Sequence, residues 1–467
     1  MNKGELAQKL KVFFESKWYA VTVALLILLG HSTFYVGDSL LFGGYQGYLF
    51  GVPMAVSLCI ACFVCTDARF IVMPAISILC LMTAEHSPNL PYFSDFYLKP
   101  QHFFTIFGMV AVFVGCLVWF IIRNRHTVNA VAWRGQIFSG LVAFAIALTF
   151  NGIFSRYYTI GDTVFGFLFS ALILLLYIFF ALYVKFDRAA FEHFMTCVLA
   201  LGLLVSAEVF WAYLAGGVRF ENGSVVKESV LLGWGIWTAI GGMLIFTLPS
   251  AFYFAHSHRH PWIYWLLGAT ILLATFLSQS RGALLFGGIS AILSVLVLCI
   301  SGKNKRFNRI FTVVICAVGV LGFVLLFDKL TGILQNYLTY GFSDNGRYEK
   351  WLTGWRNFLS SPVFGAGFYG NFSYNDFDKG VYPYFYHNTL VQMLAAGGIV
   401  GIAGYLYHRF TTVRLAVLHP NPVKTYIWLC VLSLMTFCLL DVLFFNAYPT
   451  VLYALMILYM EKSDSVQ

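Results

Sequence analysis

The stretch TVFGFLFSALILLLYIFFALYV, residues 163–184, carries no charged side chain across its 22 residues. A helix needs about 20 apolar residues to cross the hydrocarbon core of a bilayer, so this stretch predicts a membrane-spanning helix. Similar runs recur along the 467 residues, of which 60% are hydrophobic and 10% charged. A water-soluble protein of this length cannot bury that much apolar surface. We therefore expect an all-α fold, a polytopic transmembrane helical bundle.

The apolar runs predict 12–14 spans, because the third and the last of the fourteen runs are short enough to be re-entrant or tilted. The first run lacks a small-residue cleavage site, so we interpret it as a span and not as a removable signal peptide. The runs lie near residues 18–37, 46–65, 70–84, 102–122, 136–154, 163–184, 191–214, 230–255, 261–279, 282–301, 310–327, 388–407, 425–443 and 446–460.

The positively charged residues orient the bundle. The chain has 29 Lys and Arg against 20 Asp and Glu, a net charge of +9. With both termini cytoplasmic, 19 of the 29 cations fall in inner connections, five in short outer connections and five in one long outer loop. Cations of short loops concentrate on the cytoplasmic side of membrane proteins. The charge therefore indicates topology, and it does not indicate nucleic-acid binding.

One long loop, residues 328–387, is the only sizeable segment predicted outside the bilayer. We expect residues 1–467 to form a single transmembrane domain, with this extracytoplasmic loop as part of the active site. Within it, NGRYEKWLTGWRNFLSSP predicts a helix over 347–359 that lies in the outer headgroup plane and ends before Pro362. A lid packed on the spans is the alternative, and the two are compatible. The predicted apolar face comprises Tyr348, Trp351, Trp355, Phe358 and Leu359.

Charged groups at membrane depth are costly and are therefore candidates for function. Arg281 lies between two apolar spans in TFLSQSRGALLF, and a tight turn eased by Gly282 would place it at the outer boundary. A guanidinium with several donors suits a phosphate ester, although a snorkelling arginine that touches lipid headgroups is the alternative. Arg219 and Arg156 lie on the same outer side, either as further phosphate candidates or as ordinary loop cations.

Two acids and one histidine complete the candidates. Glu208 and Asp441 fall within the seventh and thirteenth predicted spans, either as structural hydrogen-bond partners or as a proton relay or partner of an active-site group. His387 begins the twelfth span on the outer side. A neutral imidazole can accept a proton near pH 7, as a general base acting on a sugar hydroxyl must. The alternative is that a lone interfacial histidine is a helix cap or a headgroup contact.

Three groups of residues imitate metal sites, and we expect no metal or other cofactor at any of them. They are Asp376 and Asp378, then His256, His258 and His260, then Cys59, Cys62 and Cys65. The acidic pair has the DxD pattern of nucleotide-sugar transferases, but it lies outside, where nucleotide sugars are absent. The histidines occupy a short cytoplasmic turn, and the cysteines lie in an apolar run as small packing residues.

Three motifs resemble those of the O-antigen ligase and O-antigen polymerase superfamily of multi-span bacterial glycosyltransferases. They are SQSRGALL, NGRYEKWLTGWRNFLSSPVFGAGFYGN and YHNTLVQMLAAGGIVGIAGYL, which lie within about 275–407. The family pattern is an outer Ser/Thr-Arg-Gly step, Gly-Arg in a large loop, P-x-x-G-x-G, and His-Asn before a Gly-rich helix. The matching residues are Ser280, Arg281, Gly282, Gly346, Arg347, Pro362, Gly365, Gly367, His387, Asn388, Gly397, Gly398 and Gly401.

The resemblance implies transfer of a glycan from an undecaprenyl-diphosphate carrier to a hydroxyl acceptor at the outer face of the bacterial cytoplasmic membrane. Family ligases place two arginines on the donor diphosphate and give a loop histidine the role of base. Arg281 and His387 match directly, whereas Arg219 matches by order and side alone, because RFENGSVVKES replaces the usual Pro/Asn-rich context. The supporting residues are Ser280, Gly282, Arg347 and Asn388.

The implied reaction needs no metal, because guanidinium groups can neutralise the diphosphate, and back-side attack inverts the anomeric centre. Two other classes stay open. A lipid-linked oligosaccharide flippase would need polar residues through a central cavity and two pseudo-symmetric halves. A non-catalytic component of envelope-polysaccharide assembly would tolerate loss of His387. The motifs do not separate a ligase, which glycosylates lipid A–core or another surface acceptor, from a polymerase, which extends a lipid-linked chain.

Overall fold

The computed structural model describes residues 3–31, 35–36, 39–40, 46–76, 100–128, 131–215, 217–221, 224–232, 234–325, 327, 346–370 and 383–466. Helices dominate these ranges, so the prediction of an all-α polytopic fold is confirmed. The helices are α1 (Lys3–Phe14), α2 (Lys17–His31), α3 (Gln46–Val64), α4 (Pro100–Asn124), α5 (Phe138–Thr149), α6 (Ile160–Tyr183), α7 (Arg188–Leu214), α8 (Trp237–Thr247), α9 (Pro249–Ser257), α10 (Pro261–Leu277), α11 (Arg281–Ser301), α12 (Lys305–Leu325), α13 (Arg347–Ser360), α14 (Thr389–Val417), α15 (Pro422–Phe437) and α16 (Ala447–Lys462).

The strands of the described residues form three antiparallel hairpins with two residues in each strand. They are β1 (Tyr35–Val36) with β2 (Ser39–Leu40), β3 (Phe220–Glu221) with β4 (Ser224–Val225), and β5 (Leu231–Leu232) with β6 (Gly235–Ile236). Two of these hairpins lie between α7 and α8. The connection between α7 and α8 therefore contains regular hydrogen-bonded strand pairs.

Seven helical runs of the described residues are long and apolar enough to cross a membrane, and the pair α1–α2, bent by 69°, would make eight. Four shorter apolar helices coincide with further predicted spans: Leu49–Val64, Phe138–Thr149, Pro261–Leu277 and Pro422–Phe437. Most predicted runs overlap a helix, but some bounds differ: α14 ends at Val417 and not near 407, and α8 begins at Trp237 and not near 230. The first and third runs lie partly outside the described residues. The number of spans stays a prediction.

The chain divides into two compact units, Met1–Val128 with Tyr183–Gly341, and Asn129–Leu182 with Phe342–Gln467. In the first unit, α8 and α9 form one run that is 94% buried and packs against α7, α10 and α11. Helix α8 is predominantly apolar around its whole circumference, which is the pattern of an interior helix.

In the second unit, α5 packs closely along α14 because small residues lie between the two helices. A Cβ added to Gly140 would meet the Thr411 hydroxyl at 2.2 Å, and one added to Gly404 would meet the Cβ of Ala147 at 2.6 Å. Close approach of small residues is a main source of helix association in bilayers. The packing fixes α14, which carries the predicted His-Asn pair directly before its first residue.

Helix α14 is broken at Gly398, whose φ of 61° and ψ of −154° are a conformation that essentially only glycine adopts. A break removes hydrogen bonds from the helix, and unsatisfied backbone groups are costly away from water. The segment 362–367, which contains the P-x-x-G-x-G motif, supplies the missing partners. The bonds run from Ala366 N to Ala395 O at 2.8 Å, Gly367 N to Ala396 O at 3.1 Å, Ile399 N to Pro362 O at 2.9 Å, and Val400 N to Val363 O at 3.1 Å.

Asp162 fixes the same segment from another part of the second unit. Its buried carboxylate accepts hydrogen bonds from the amides of Phe368 at 2.5 Å and Tyr369 at 3.1 Å, and from the amide and hydroxyl of Thr159 at 2.9 and 3.0 Å. The amide of Gly152 donates to the carbonyl of Phe364 at 2.7 Å. The glycine-rich motif is therefore a clamp that joins three segments of the chain.

We expect Gly398→Ala to destabilise the protein by about 2–4 kcal/mol, from backbone strain and overpacking. The added Cβ would meet the Val363 and Pro362 carbonyl oxygens at 2.5 and 2.6 Å. Gly397→Ala is the matched control, because no atom lies within 4 Å of its added Cβ. Thermal unfolding of both variants in one detergent measures the difference, and equal stability would contradict the role of the break.

Candidate active site

His387 and Asn388 lie directly before α14, and each has a defined backbone conformation. Asn388 caps the helix, since its side-chain oxygen accepts hydrogen bonds from the amides of Leu390 at 2.9 Å and Val391 at 3.1 Å. Its side-chain amide donates to the carbonyl of Leu439 at 2.9 Å. His387 has a φ of 51°, a left-handed conformation that is uncommon outside glycine. Backbone strain of this kind is concentrated at functional sites.

The imidazole of His387 bonds a carboxylate that lies far along the chain. Its Nδ1 is 3.3 Å from Oδ1 of Asp441, and the exposed fractions of the two side chains are 32% and 12%. An ionised carboxylate only accepts hydrogen bonds, so Nδ1 carries the proton and donates it to Asp441. In the neutral imidazole with this tautomer, the second ring nitrogen, Nε2, carries no proton, as a general base requires.

The sequence predicted that Asp441 lies inside a membrane-spanning helix, but the structure places it in a turn. α15 ends at Phe437, and Asp441 belongs to the turn that follows it. The residues after it are buried, among them Leu443 and Phe444, so the apolar run continues beyond the end of the helix. Hydropathy alone therefore assigned Asp441 to the helix, although it belongs to the turn after it.

Charged residues of α13 act on Asp441. Burial acts to raise the pKa of its carboxyl, but the hydrogen bond and charge of His387, the amide of Val442 and the charge of Arg347 together lower it below its ordinary value. Burial lowers the pKa of Lys350; the charge of Asp441 opposes that effect and the charge of Arg347 adds to it. The carboxylate therefore stays ionised at neutral pH, with two cationic side chains nearby.

Helix α14 holds the turn that carries Asp441. The amide of Thr389 donates to the carbonyl of Cys438 at 2.8 Å, and its hydroxyl donates to the carbonyl of Asp441 at 3.4 Å. Further along α14, the guanidinium of Arg409 lies 4.6–4.9 Å from the centres of three aromatic rings, including that of Phe444. A cation over the faces of aromatic rings is attracted to them. The turn that carries Asp441 is thus held before and at Asp441 by Thr389, and after it by the contact of Arg409 with Phe444.

The segment before His387 is fixed by α13 and α14. The side-chain oxygen of Gln392 accepts a hydrogen bond from the amide of Tyr386 at 3.1 Å, and its side-chain nitrogen donates to the carbonyl of Tyr384 at 3.2 Å. The side chain of Asn357 in α13 bonds the hydroxyl of Tyr386. These contacts fix the segment that leads into His387.

Arg281 is the first residue of α11, in the first unit. Ser280 caps this helix, with its hydroxyl 3.4 Å from the amide of Ala283. The turn before the helix depends on Gln279, which has a φ of 61°, and not on Gly282 as predicted, since Gly282 already belongs to the helix. A helix N-terminus carries a partial positive charge that favours anions, and the guanidinium adds to it.

Arg219 lies between α7 and β3, also in the first unit, with its side chain exposed. Its amide donates to the hydroxyl of Ser229 at 2.8 Å, and its carbonyl accepts from the amide of Val226 at 2.9 Å. Arg156 is exposed as well, with its guanidinium 5.7 Å from the ring centre of Tyr157, and it belongs to the second unit.

The predicted site residues divide between the two units. Those of the first unit are Arg219, Ser280, Arg281 and Gly282, and those of the second are Arg347, His387 and Asn388. Convergence of Arg281 and His387 on one substrate stays a prediction. Glu208 is buried inside α7 of the first unit.

Among the described residues, no group of three or more His, Cys, Asp and Glu side chains is placed to hold a metal ion. Asp376 and Asp378 lie outside the described residues.

The sequence places Lys350 with Arg347 on the polar side of the helix predicted at 347–359 but indicates no role for it in the site, and it leaves the role of Asp441 open. One signal for Asp441 was present, since a lone acid in an apolar run indicates a functional partner. The signal for Lys350 was its spacing of three residues from Arg347, which places both cations on one side of a helix. Neither signal shows that Asp441 bonds His387 or that the charge of Asp441 acts on Lys350.

Successive residues of a helix are rotated by about 100°, and on this basis the residues of α13 fall on three distinct sides. One side is buried and packs on α14, where a Cβ added to Gly354 would meet Val391 at 2.4 Å. A second side exposes a row of apolar residues, Tyr348, Leu352, Trp355 and Leu359. A third side exposes the polar residues Glu349, Arg356 and Ser360. Trp351 and Phe358, which the sequence placed on the lipid side, are half-buried. The arrangement fits a helix at the interface between lipid, water and protein.

Residues 266–406 match the family model described as O-antigen ligase. The match contains Arg281, Arg347, His387 and Asn388, whereas Arg219 and Asp441 lie outside it. None of the curated proteins compared with the chain matches it. The family match confirms the resemblance to the O-antigen ligase and polymerase superfamily that the motifs predicted. Together with the apolar helices, it indicates a multi-pass membrane protein with an O-antigen ligase type of function.

We expect a photo-crosslinking side chain at position 355 to label phospholipid in liposomes, because Trp355 lies in the exposed apolar row of α13. The same crosslinker at position 356 is the matched control, since Arg356 is exposed on the polar side. Mass spectrometry of the labelled protein counts the lipid adducts. Equal labelling at both positions would contradict an interfacial orientation.

Proposed function

We propose that this chain is a membrane glycosyltransferase that transfers a glycan from an undecaprenyl-diphosphate-linked donor to a hydroxyl acceptor. The reaction would take place at the outer face of the bacterial cytoplasmic membrane. The observation that carries the proposal is the bond between His387 and Asp441, beside the N-terminus of a helix long enough to span the bilayer. The family match over residues 266–406 supports the same class of reaction.

His387 is the general base of the proposed reaction. Asp441 holds the proton on Nδ1, so Nε2 accepts the proton of the acceptor hydroxyl as its oxygen attacks the anomeric carbon. The bond between that carbon and the diphosphate oxygen breaks, and its electron pair leaves with undecaprenyl diphosphate. Attack from the side opposite the leaving group inverts the anomeric centre. The proton on His387 then passes to water or to the departing diphosphate.

Arg281, together with Arg219, binds the donor diphosphate and neutralises the charge that develops on it. Support comes from the position of Arg281 at the N-terminus of a 21-residue helix, where the helix dipole adds to the guanidinium charge.

We expect this pair of cations to replace a metal ion. Turnover in a chelator should therefore equal turnover without one, and loss of activity on chelation would reject this part of the proposal.

Helix α13 guides the acceptor to the base. It exposes an apolar row suited to lipid, and its cations Arg347 and Lys350 act electrostatically on Asp441. An acceptor that approaches along the membrane surface would meet this helix next to His387. Other proteins of envelope-polysaccharide assembly are potential partners at the same surface.

A single experiment separates ligase from polymerase. Purified protein receives one lipid-linked repeat unit and no other acceptor. Formation of a ladder of longer lipid-linked products identifies a polymerase. Turnover that requires lipid A–core or another added acceptor identifies a ligase.

We expect His387→Ala to lower turnover by roughly 10²–10⁴-fold, the usual contribution of a general base. Release of undecaprenyl diphosphate measures it. His419→Ala is the matched control, because His419 is exposed and has a similar left-handed φ of 48°. Normal turnover in a folded His387→Ala protein would reject the enzymatic role, and would favour a non-catalytic component of the same assembly.

We expect Asp441→Asn to lower kcat by roughly 10²–10⁴-fold, the contribution of a general base, and to leave the KM for the donor nearly unchanged. An asparagine amide can donate to Nδ1, which favours the wrong tautomer of His387. The double variant with His387→Ala should be no slower than His387→Ala alone, because the two residues act as one unit. Additive losses would indicate that Asp441 acts independently of the base.

A further inference from the structure

We infer that Tyr213 is a positioning residue that holds the segments of Arg219 and Arg281 in register for a ligand with two linked phosphates. The inference rests on the proposed function, in which these arginines bind the donor diphosphate. Tyr213 lies in the last turn of α7, it is half-buried, and all three residues belong to the first unit. Its ring and its hydroxyl contact different segments, and each segment leads to one of the arginines.

The hydroxyl of Tyr213 reaches the segment of Arg281. It donates a hydrogen bond of 2.7 Å to the carbonyl of Leu277, the last residue of α10. Carbonyls in the last turn of a helix have no partner within it, so this bond satisfies a group that the helix leaves open. The phenol also lies beside the side chain of Gln279, the left-handed residue of the turn. The turn ends at Ser280, and Arg281 begins the next helix.

The ring of Tyr213 reaches the segment of Arg219. It contacts the ring of Phe220 edge-on, with 6.3 Å between the ring centres and an angle of 73° between the planes. Arg219 directly precedes Phe220, and its own amide and carbonyl are bonded to Ser229 and Val226. A shift of the aromatic pair would therefore move the backbone that carries this guanidinium.

One phosphate needs only one of the two arginines in place, whereas two linked phosphates need both at a fixed spacing. Arginine side chains are flexible, so their spacing depends on how well the two backbone segments are held. The backbone at Arg281 is shaped by the capping residue Ser280 and by close packing on α8, since a Cβ added to Gly241 would meet the Cβ of Ser280 at 2.7 Å. Tyr213 connects this segment with that of Arg219.

The test compares binding of undecaprenyl diphosphate and undecaprenyl monophosphate to the purified full-length protein. We expect Tyr213→Phe, which keeps the ring and removes the hydroxyl, to weaken diphosphate binding about fivefold, the usual effect of one lost hydrogen bond. Monophosphate binding should not change. Phe220→Ala removes the other contact at an exposed position and should give the same selective loss. The KM for the donor should rise in both variants, with kcat within about twofold of that of the wild type.

Tyr19→Phe is the matched control. Tyr19 is a buried tyrosine of the same unit, and the substitution removes its 2.9 Å bond to Ser57, away from both arginine segments in sequence. It should leave the ratio of the two affinities unchanged. Equal weakening of both ligands by Tyr213→Phe, or the same change of ratio in Tyr19→Phe, would overturn the inference and leave Tyr213 with a purely structural role.

Arg281→Ala separates the proposed role of Arg281 from the inferred role of Tyr213. If Arg281→Ala binds the diphosphate as the wild type does, the proposed role of Arg281 fails, and the inference about Tyr213 fails with it. If Arg281→Ala loses diphosphate binding while Tyr213→Phe and Phe220→Ala keep the wild-type ratio, only the inference about Tyr213 fails. Loss in Arg281→Ala together with a selective loss in the other two variants supports both.

Discussion

The satisfaction of backbone hydrogen bonds at the break in α14 is the constraint on which the second unit depends. In a bilayer, an interrupted helix is stable only where other groups, of the protein or of ordered water, replace its lost bonds. The segment 362–367 does so with four bonds around Gly398, and Asp162 holds the continuation of that segment. These bonds fix residues 362–369, and the amide of Tyr384, shortly before α14, donates to the carbonyl of Phe368 at 2.8 Å. The candidate base thus depends on a clamp more than ten residues further along the helix.

The polar groups around His387 form one connected arrangement. Asn388 caps α14 and bonds the turn after α15, Thr389 bonds the same turn, and Asp441 of that turn bonds His387. Each of these groups would be costly in apolar surroundings by itself. Their mutual bonds reduce the cost and leave the imidazole with a defined tautomer. The arrangement therefore combines a structural junction between two helices with a group able to accept a proton.

The parts of the fold that depend on local composition were predictable from sequence. The run predicted at 191–214 is helix Arg188–Leu214, and the helix predicted at 347–359 is Arg347–Ser360. Contacts between distant segments were not predictable. The partner of His387 lies 54 residues away, in a turn that hydropathy merges with a helix. Likewise, Trp351 carries the pattern of a lipid-facing residue, but it is half-buried in the structure.

The three sides of α13 connect the surroundings of the protein with the candidate site. One side exposes an apolar row, another packs on α14, and the charge of Arg347 acts on the carboxyl of Asp441 beside the candidate base. A thinner bilayer, different acyl chains or a detergent micelle would shift the boundary between water and hydrocarbon at the helix. Rates measured in micelles and in native-like membranes are then expected to differ for one and the same polypeptide, so that variants are comparable only within a single lipid composition.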